Sequence, residues 1–211
     1  MKIALVAATG NIGSHIAQQA LKRGHEVTAI VRSNKPLPDN LHGVRPVLAS
    51  LDDQAALVEA IRGHDVLASA FGPGSADASA VVDAAKALVA AARAAGVRRL
   101  VVVGGAGSLE VAPGLQLVDA PNFPPQYKAY ALAHRDALAV LKAADDLDWT
   151  FFAPAAEIGP GEQRGTFRTG ANSLISSADG HSQISYGDYA DAFVAEIEQP
   201  KFVKQIATVA Y

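Results

Sequence analysis

The run Ala7-Ala8-Thr9-Gly10-Asn11-Ile12-Gly13 carries the most specific chemistry in the chain. It follows a short apolar run, Ile3 to Ala7. It opens a segment, Gly13 to Arg23, in which Ile16, Ala17, Ala20 and Leu21 recur at helical spacing before Gly24. A turn from strand to helix presents unpaired N–H groups at the positive end of the helix dipole, which suits a diphosphate. Gly10 would let the backbone meet that anion where a Cβ would collide with it. Gly13 would let the helix pack close to the strand. Thr9, Asn11 and Ile12 complete the expected cradle. A glycine triplet alone would say little, and the bland alternative is a plain strand-to-helix turn. The repeating strand–helix pattern downstream favours a dinucleotide.

At the end of the second strand, Glu26 to Val31, stands Arg32, followed by Ser33 and Lys35. An acid at this position bonds a ribose 2′-hydroxyl, whereas an arginine grips a 2′-phosphate. The absence of Asp or Glu points to NADP(H) as the preferred cofactor, with NAD(H) still able to bind. The competing reading is a solvated arginine at a strand end. The same sheet edge should carry the remaining contacts: Ala70, Phe71, Gly72 and Pro73 on the ribose side, Gly104 and Gly105 after the fifth strand, and Pro154 and Ala155 beside the nicotinamide. Ser108 either touches the nicotinamide or caps a turn. Glu157 reads as a structural ion partner rather than a base. Phe123 and Tyr127 read as an acceptor-side lid or as packing. His15, His25, His42, His64 and His181 are scattered without ligand spacing, so no metal is expected.

The elements that must position these residues alternate between strand and helix. Val44 to Leu48 is a third strand. Asp52 or Asp53 caps a helix to Arg62, and Asp65 to Ala70 is a fourth strand. Ser79 to Ala95 is an Ala-rich helix stopped by Gly96, and Leu100 to Val103 is the fifth strand. A proline-rich loop follows, then a helix from Tyr130 to Ala144 and a sixth strand, Trp149 to Ala153. Beyond Pro154 glycine and polar residues dominate. Asp179-Gly180 there predicts a hairpin between Ser173–Ser177 and Ser182–Tyr186. A helix, Asp188 to Glu198, and a strand, Gln205 to Val209, end the pattern. Continuous apolar strands separated by helices predict an α/β fold: a Rossmann-type, doubly wound parallel sheet with helices on both faces. The 211 residues are expected to form one domain with a small substrate-side cap at about 155–187.

Composition narrows the partners. Half the residues are hydrophobic (50%), 18% are charged and the net charge is -3, so neither nucleic acid nor an anionic membrane is called for. There is no cysteine, which removes disulfides, thiolate nucleophiles and cysteine metal sites. The apolar start is broken at Thr9-Gly10-Asn11 after about six residues, short of a signal-peptide core of roughly seven to fifteen. A cytoplasmic location is the expectation.

The turn Ala7–Gly13 resembles the Gly-Ala-Thr-Gly-x-x-Gly turn of atypical short-chain dehydrogenase-like proteins. More specifically, the chain is similar to the NADH-flavin reductase group, which has NmrA-like and biliverdin reductase B-like relatives. The stretches that carry the likeness are Ser69–Gly74, Gly104–Ser108, Ala131–Asp136, Pro154–Gly161 and Ile184–Tyr186, so it spans essentially the whole chain. The resemblance implies a nicotinamide cofactor and a flavin- or quinone-like acceptor, with FMN or FAD as substrate. Three departures stand out. Ala7 replaces the first glycine, tolerable only if its φ stays negative. Ser50, followed by Leu51, replaces an aspartate that would reach the adenine amine, and Asp52 is the available substitute. Tyr130 matches the tyrosine of the Tyr-x-x-x-Lys proton relay, but His134 replaces the lysine. A neutral histidine cannot lower the tyrosine's pKa, so carbonyl reduction is disfavoured against flavin or quinone reduction. The expected function is thus an NAD(P)H-dependent oxidoreductase passing hydride to a flavin- or quinone-like acceptor. The rival readings are a non-catalytic NADP(H)-binding redox sensor and a sugar-nucleotide epimerase or dehydratase.

Overall fold

A computed structural model describes residues 1–72, 74 and 77–211. Among these residues the chain runs β1 (Lys2–Val6), α1 (Asn11–Lys22), β2 (Glu26–Val31), β3 (Arg45–Leu48), α2 (Gln54–Ile61), β4 (Val66–Ser69), α3 (Ala80–Ala95) and β5 (Arg99–Val103). It continues through β6 (Glu110–Ala112), β7 (Leu115–Gln116), α4 (Pro125–Lys142), β8 (Asp148–Ala153), β9 (Glu157–Gly159) and β10 (Arg168–Ala171). It ends with β11 (Gln183–Ser185), α5 (Tyr186–Glu198) and β12 (Gln205–Ala210). The main sheet has eight strands in the order β10-β12-β8-β5-β4-β1-β2-β3. All its pairings are parallel except β10 with β12. The fold is therefore the doubly wound α/β class expected.

The apolar strands divide their side chains between two layers by strict alternation. From β1, Ile3 and Leu5 join the core under α1 and α5, and Ala4 and Val6 join the core under α2, α3 and α4. β8 does the same with Phe152 on the first face and Trp149 and Phe151 on the second. Burial on both faces is why these strands carry so little polarity. Two of the exceptions meet at one carboxylate. Arg99 of β5 reaches the buried Glu196 of α5 at 2.9 Å, and Thr150 of β8 donates to the same carboxylate at 3.1 Å.

Several expectations change. The predicted hairpin does not form. Ser177 N–H still donates to His181 O across the Asp179-Gly180 turn, at 2.8 Å. The strand after it, β11, pairs in parallel with β9, while Ser173 bridges to Glu110. Partners distant in sequence outcompete the local one, because they also close the cap onto the sheet. Within the expected cap, β10 joins the main sheet as an edge strand. The proline-rich loop holds a small antiparallel pair, β6 with β7. α4 starts at Pro125 rather than Tyr130, since proline at the first helical position lacks only an N–H that would be unpaired anyway. Of the two candidate caps for α2, Asp53 accepts from Ala56 N–H at 3.0 Å.

Candidate cofactor and acceptor site

β1 has β2 on one side and β4 on the other, so the chain's winding reverses between β1 and β4. In open α/β sheets the crevice at the carboxyl ends of the strands, at this reversal, is where ligands bind. Ala70 N–H donates to Val6 O at 3.0 Å and holds the end of β4 beside the glycine turn. Phe71 N–H donates to Ser69 Oγ at 3.2 Å. Gly72 follows in open space, and Pro73 lies outside the described residues.

The turn is built around one carbonyl. Gly10 N–H donates to Ala7 O at 3.1 Å. A Cβ on Gly13 would overlap that same oxygen, so Gly13 is required by helix–strand packing. The expectation for Ala7 is corrected: its φ is 59°, in the left-handed region that disfavours a methyl. Residue 7 must turn there to aim its carbonyl at Gly10. Gly10 is different. Its φ is -76°, and a Cβ there would only touch Ala7 O at 3.5 Å. Nothing among the described residues demands glycine at position 10. What a side chain would fill is the space before α1, which has no side-chain cap and no acid in its first turn. That approach, next to the exposed Thr9 and Asn11 and the half-buried Ile12, fits a diphosphate.

Arg32 is exposed at the end of β2 and forms no ion pair among the described residues. Ser33 and Lys35 beside it are also exposed. At the end of β3, Ser50 is occupied locally: its Oγ accepts from Asp52 N–H and donates to the Asp52 carboxylate, each at 3.2 Å. Leu51 is half-buried against the core.

On the acceptor side, Tyr130 and His134 stand four residues apart on α4 and so share a face. The Tyr130 hydroxyl donates to Gly74 O at 3.2 Å, spanning from α4 to the loop after β4. The His134 ring lies edge-on to Phe151, with centroids 6.3 Å apart. Its Nδ1 is buried without a hydrogen-bond partner among the described residues, and burial lowers its pKa to about 4. His134 is therefore neutral near pH 7 and lends Tyr130 no positive charge. Ser108 is buried in the short turn Ala106–Ser108, its Oγ also without a partner among the described residues. Gly104 and Gly105 owe their identity to packing: a Cβ on Gly104 would overlap the Phe151 ring, and one on Gly105 would lie 3.0 Å from His134 Cβ and Cγ.

Other residues separate from the site. Pro154 and Ala155 are buried, and only the next residue, Ala156, is exposed; its N–H donates to Ser182 Oγ at 3.2 Å. Glu157 is not an ion partner as expected: it is exposed and forms no ion pair among the described residues, because β9 turns it outward. Phe123 is half-buried, whereas Tyr127 on the first turn of α4 is 60% exposed. No group of three or more His, Cys, Asp or Glu that could hold a metal is found among the described residues. Sequence reading passed over one cluster, around the buried Asp188 at the start of α5. Its signal was present as Ser185-x-x-Asp188, a helix-start pattern, and Ser185 Oγ does accept from Asp188 N–H at 3.2 Å.

A reversal of winding, a glycine turn against a helix start and open space before it define a dinucleotide-binding Rossmann protein of the short-chain dehydrogenase type. Comparison with known proteins gives the family. A family model described as NAD(P)H-binding matches residues 7–200, and the chain belongs to that family. A Burkholderia pseudomallei structure provisionally described as an exported protein is 57% identical, with a TM-score of 0.94 and 100% of each chain covered. A Streptococcus pneumoniae structure provisionally described as an NADH-flavin reductase is 33% identical, with a TM-score of 0.88, covering 100% of this chain and 99% of its own. One from Bacteroides thetaiotaomicron, provisionally described as an epimerase, is 34% identical, with a TM-score of 0.89, covering 100% and 96%. No described helix is long and apolar enough to cross a membrane.

Proposed function

We propose that the protein is an NAD(P)H-dependent oxidoreductase, preferring NADP(H), whose acceptor is a flat conjugated molecule such as a free flavin (FMN or FAD) or a quinone. The observation that carries this reading is His134. It stands where a proton relay needs a fixed cation, and burial keeps it neutral. Reducing a ketone leaves an alkoxide, and a positioned acid is then worth about 10²–10⁴-fold. Reduced flavins and quinones are far less basic, and water protonates them. An epimerase drawing on the same tyrosine would need the same missing cation.

The chain's own residues divide the work. Gly10 to Gly13 and the start of α1 hold the diphosphate, and Arg32 holds the 2′-phosphate. Phe71 and Gly72 border the ribose, and Ala156 borders the nicotinamide. Ser108 Oγ and His134 Nδ1, both buried and without a partner among the described residues, are the polar groups that lie beneath the acceptor side. The bound dihydronicotinamide supplies the hydride. Tyr130 closes the far wall through Gly74.

The test is consumption of NADPH on adding FMN, riboflavin or a simple quinone. Tyr130→Phe and His134→Ala should each lower flavin turnover by less than about tenfold. A thousandfold loss with intact NADPH binding would make Tyr130 a proton donor and carbonyl reduction the better reading. Binding without turnover of any acceptor would favour the redox-sensor reading, which the same missing relay supports. A cytoplasmic location is part of the proposal. A cysteine-free chain suits either redox compartment, and cell fractionation decides it.

A further inference from the structure

A second cavity opens on the same sheet edge, walled by the cap. β12 runs parallel to β8, so Tyr211, just past its end, emerges on the ligand side, near Ser185 at the end of β11. Arg164 is the only basic residue lining this cavity among the described residues. Its guanidinium carbon lies 3.8 Å from the centroid of the Tyr211 ring.

One buried carboxylate fixes both halves of that stack. Asp188 accepts from Arg164 N–H at 2.8 Å, from Gly165 N–H at 2.9 Å and from the Tyr211 hydroxyl at 2.6 Å. Ser185 N–H donates to the Tyr211 oxygen at 3.1 Å, so the ring is held from two sides. Arg164 itself forms no ion pair among the described residues. A free arginine side chain has rotamer entropy to lose on binding, and stacking removes much of that freedom in advance. The face of the guanidinium is covered, while its in-plane N–H donors remain available. That is the geometry that grips a phosphate or carboxylate.

The other charged groups lining the cavity are the carboxylates of Glu157 and Glu162, both exposed. They accept from hydroxyls and repel additional negative charge, so the best-fitting ligand is a hydroxylated chain ending in a single phosphate. Glu157 directly follows Ala156, about 3.8 Å away between Cα atoms, which sets the cavity beside the proposed nicotinamide wall.

We infer that this cavity takes the phosphorylated polyol tail of the acceptor, so that FMN is preferred over riboflavin through Arg164. The inference rests on the flavin reading above. Its test is binding, read as quenching of flavin fluorescence by the NADP⁺-saturated protein. FMN should bind about tenfold more tightly than riboflavin, the size expected of one charge-assisted contact. Arg164→Gln should abolish that difference while leaving riboflavin and NADPH affinity unchanged. Arg164→Lys, which keeps the charge but loses the planar fork, should retain part of it. The substituted side chain is exposed, and a thermal melt checks that the fold is kept. Equal affinity for the two flavins in the wild type, no flavin binding, or an equal loss for both in Arg164→Gln overturns the site. Reduction of both flavins with the same KM overturns the site and leaves the oxidoreductase reading standing. FMN bound through Arg164 without hydride transfer upholds the site and overturns the reaction.

Discussion

Ala7→Gly should stabilise this protein, although it deletes a methyl from the rim of the core. The residue sits at φ 59°, where a Cβ costs roughly 1–2 kcal/mol. Glycine removes that cost but returns about 0.4–1 kcal/mol through the greater freedom of the unfolded chain. Half-burial of the methyl returns a few tenths more, at about 0.8 kcal/mol for a fully buried group. The net is a gain of about 0.5 kcal/mol, a rise in Tm of about 1–2 °C for a chain of this size. Ala7→Val works in the opposite direction, since a β-branched residue fits the left-handed region worse still. It should lose roughly 1–2 kcal/mol. The comparison of the two variants in urea melts is therefore the sensitive assay, with a spread of about 2 kcal/mol expected. NADPH affinity should be unchanged or improved in the glycine variant, because the Ala7 carbonyl keeps its aim at Gly10. A glycine variant less stable than the wild type, or a valine variant equal to it, would refute the left-handed geometry as the source of strain.

The two glycines of the turn should separate cleanly. Gly13→Ala should lose several kcal/mol or fail to fold, because its Cβ overlaps the Ala7 carbonyl. Gly10→Val should fold normally yet lose dinucleotide binding by calorimetry, and intact binding there would end the diphosphate assignment. Arg32→Asp should move a preference for NADPH of roughly tenfold or more toward NADH; equal wild-type affinities for the two cofactors would remove Arg32 from its role. His134 should make stability depend on pH. The unfolded chain takes up its proton near pH 6.5, the folded chain only near 4. Stability is thus unaffected well above pH 6.5 and falls as pH drops toward 4, by roughly 2.5 kcal/mol at pH 4.5. In His134→Gln that portion of the slope should vanish from urea melts, and an unchanged slope would mean the ring is not sealed as described.

Much of the fold was legible because its signals are local. Continuous apolar runs such as Ile3–Val6, helical spacing in Ile16-Ala17-Ala20 and stop signals such as Gly24 and Gly96 each depend on neighbours within a few residues. The glycine turn was legible for the same reason, since its meaning comes from the strand before it and the helix after it. The Asp179-Gly180 turn shows the limit. The turn formed, but the strands beside it paired with residues elsewhere, because a sheet partner is chosen by the whole cap and not by the turn.

By itself the sequence determined the class of fold, the glycine turn that opens α1 and the presence of an arginine at the end of β2. Those follow from residue types at fixed spacing along one element. Only the tertiary structure decided the state of each group. Ala7 is strained because packing of α1 against β1 needs its carbonyl turned. His134 is neutral because Phe151 and the Gly105 backbone close over it. Arg164 is held flat because a carboxylate 24 residues away, Asp188, fixes both its backbone and the ring beneath it. Charge, strain and preorganisation depend on what surrounds an atom in space, and contacts between residues far apart in the chain create those surroundings.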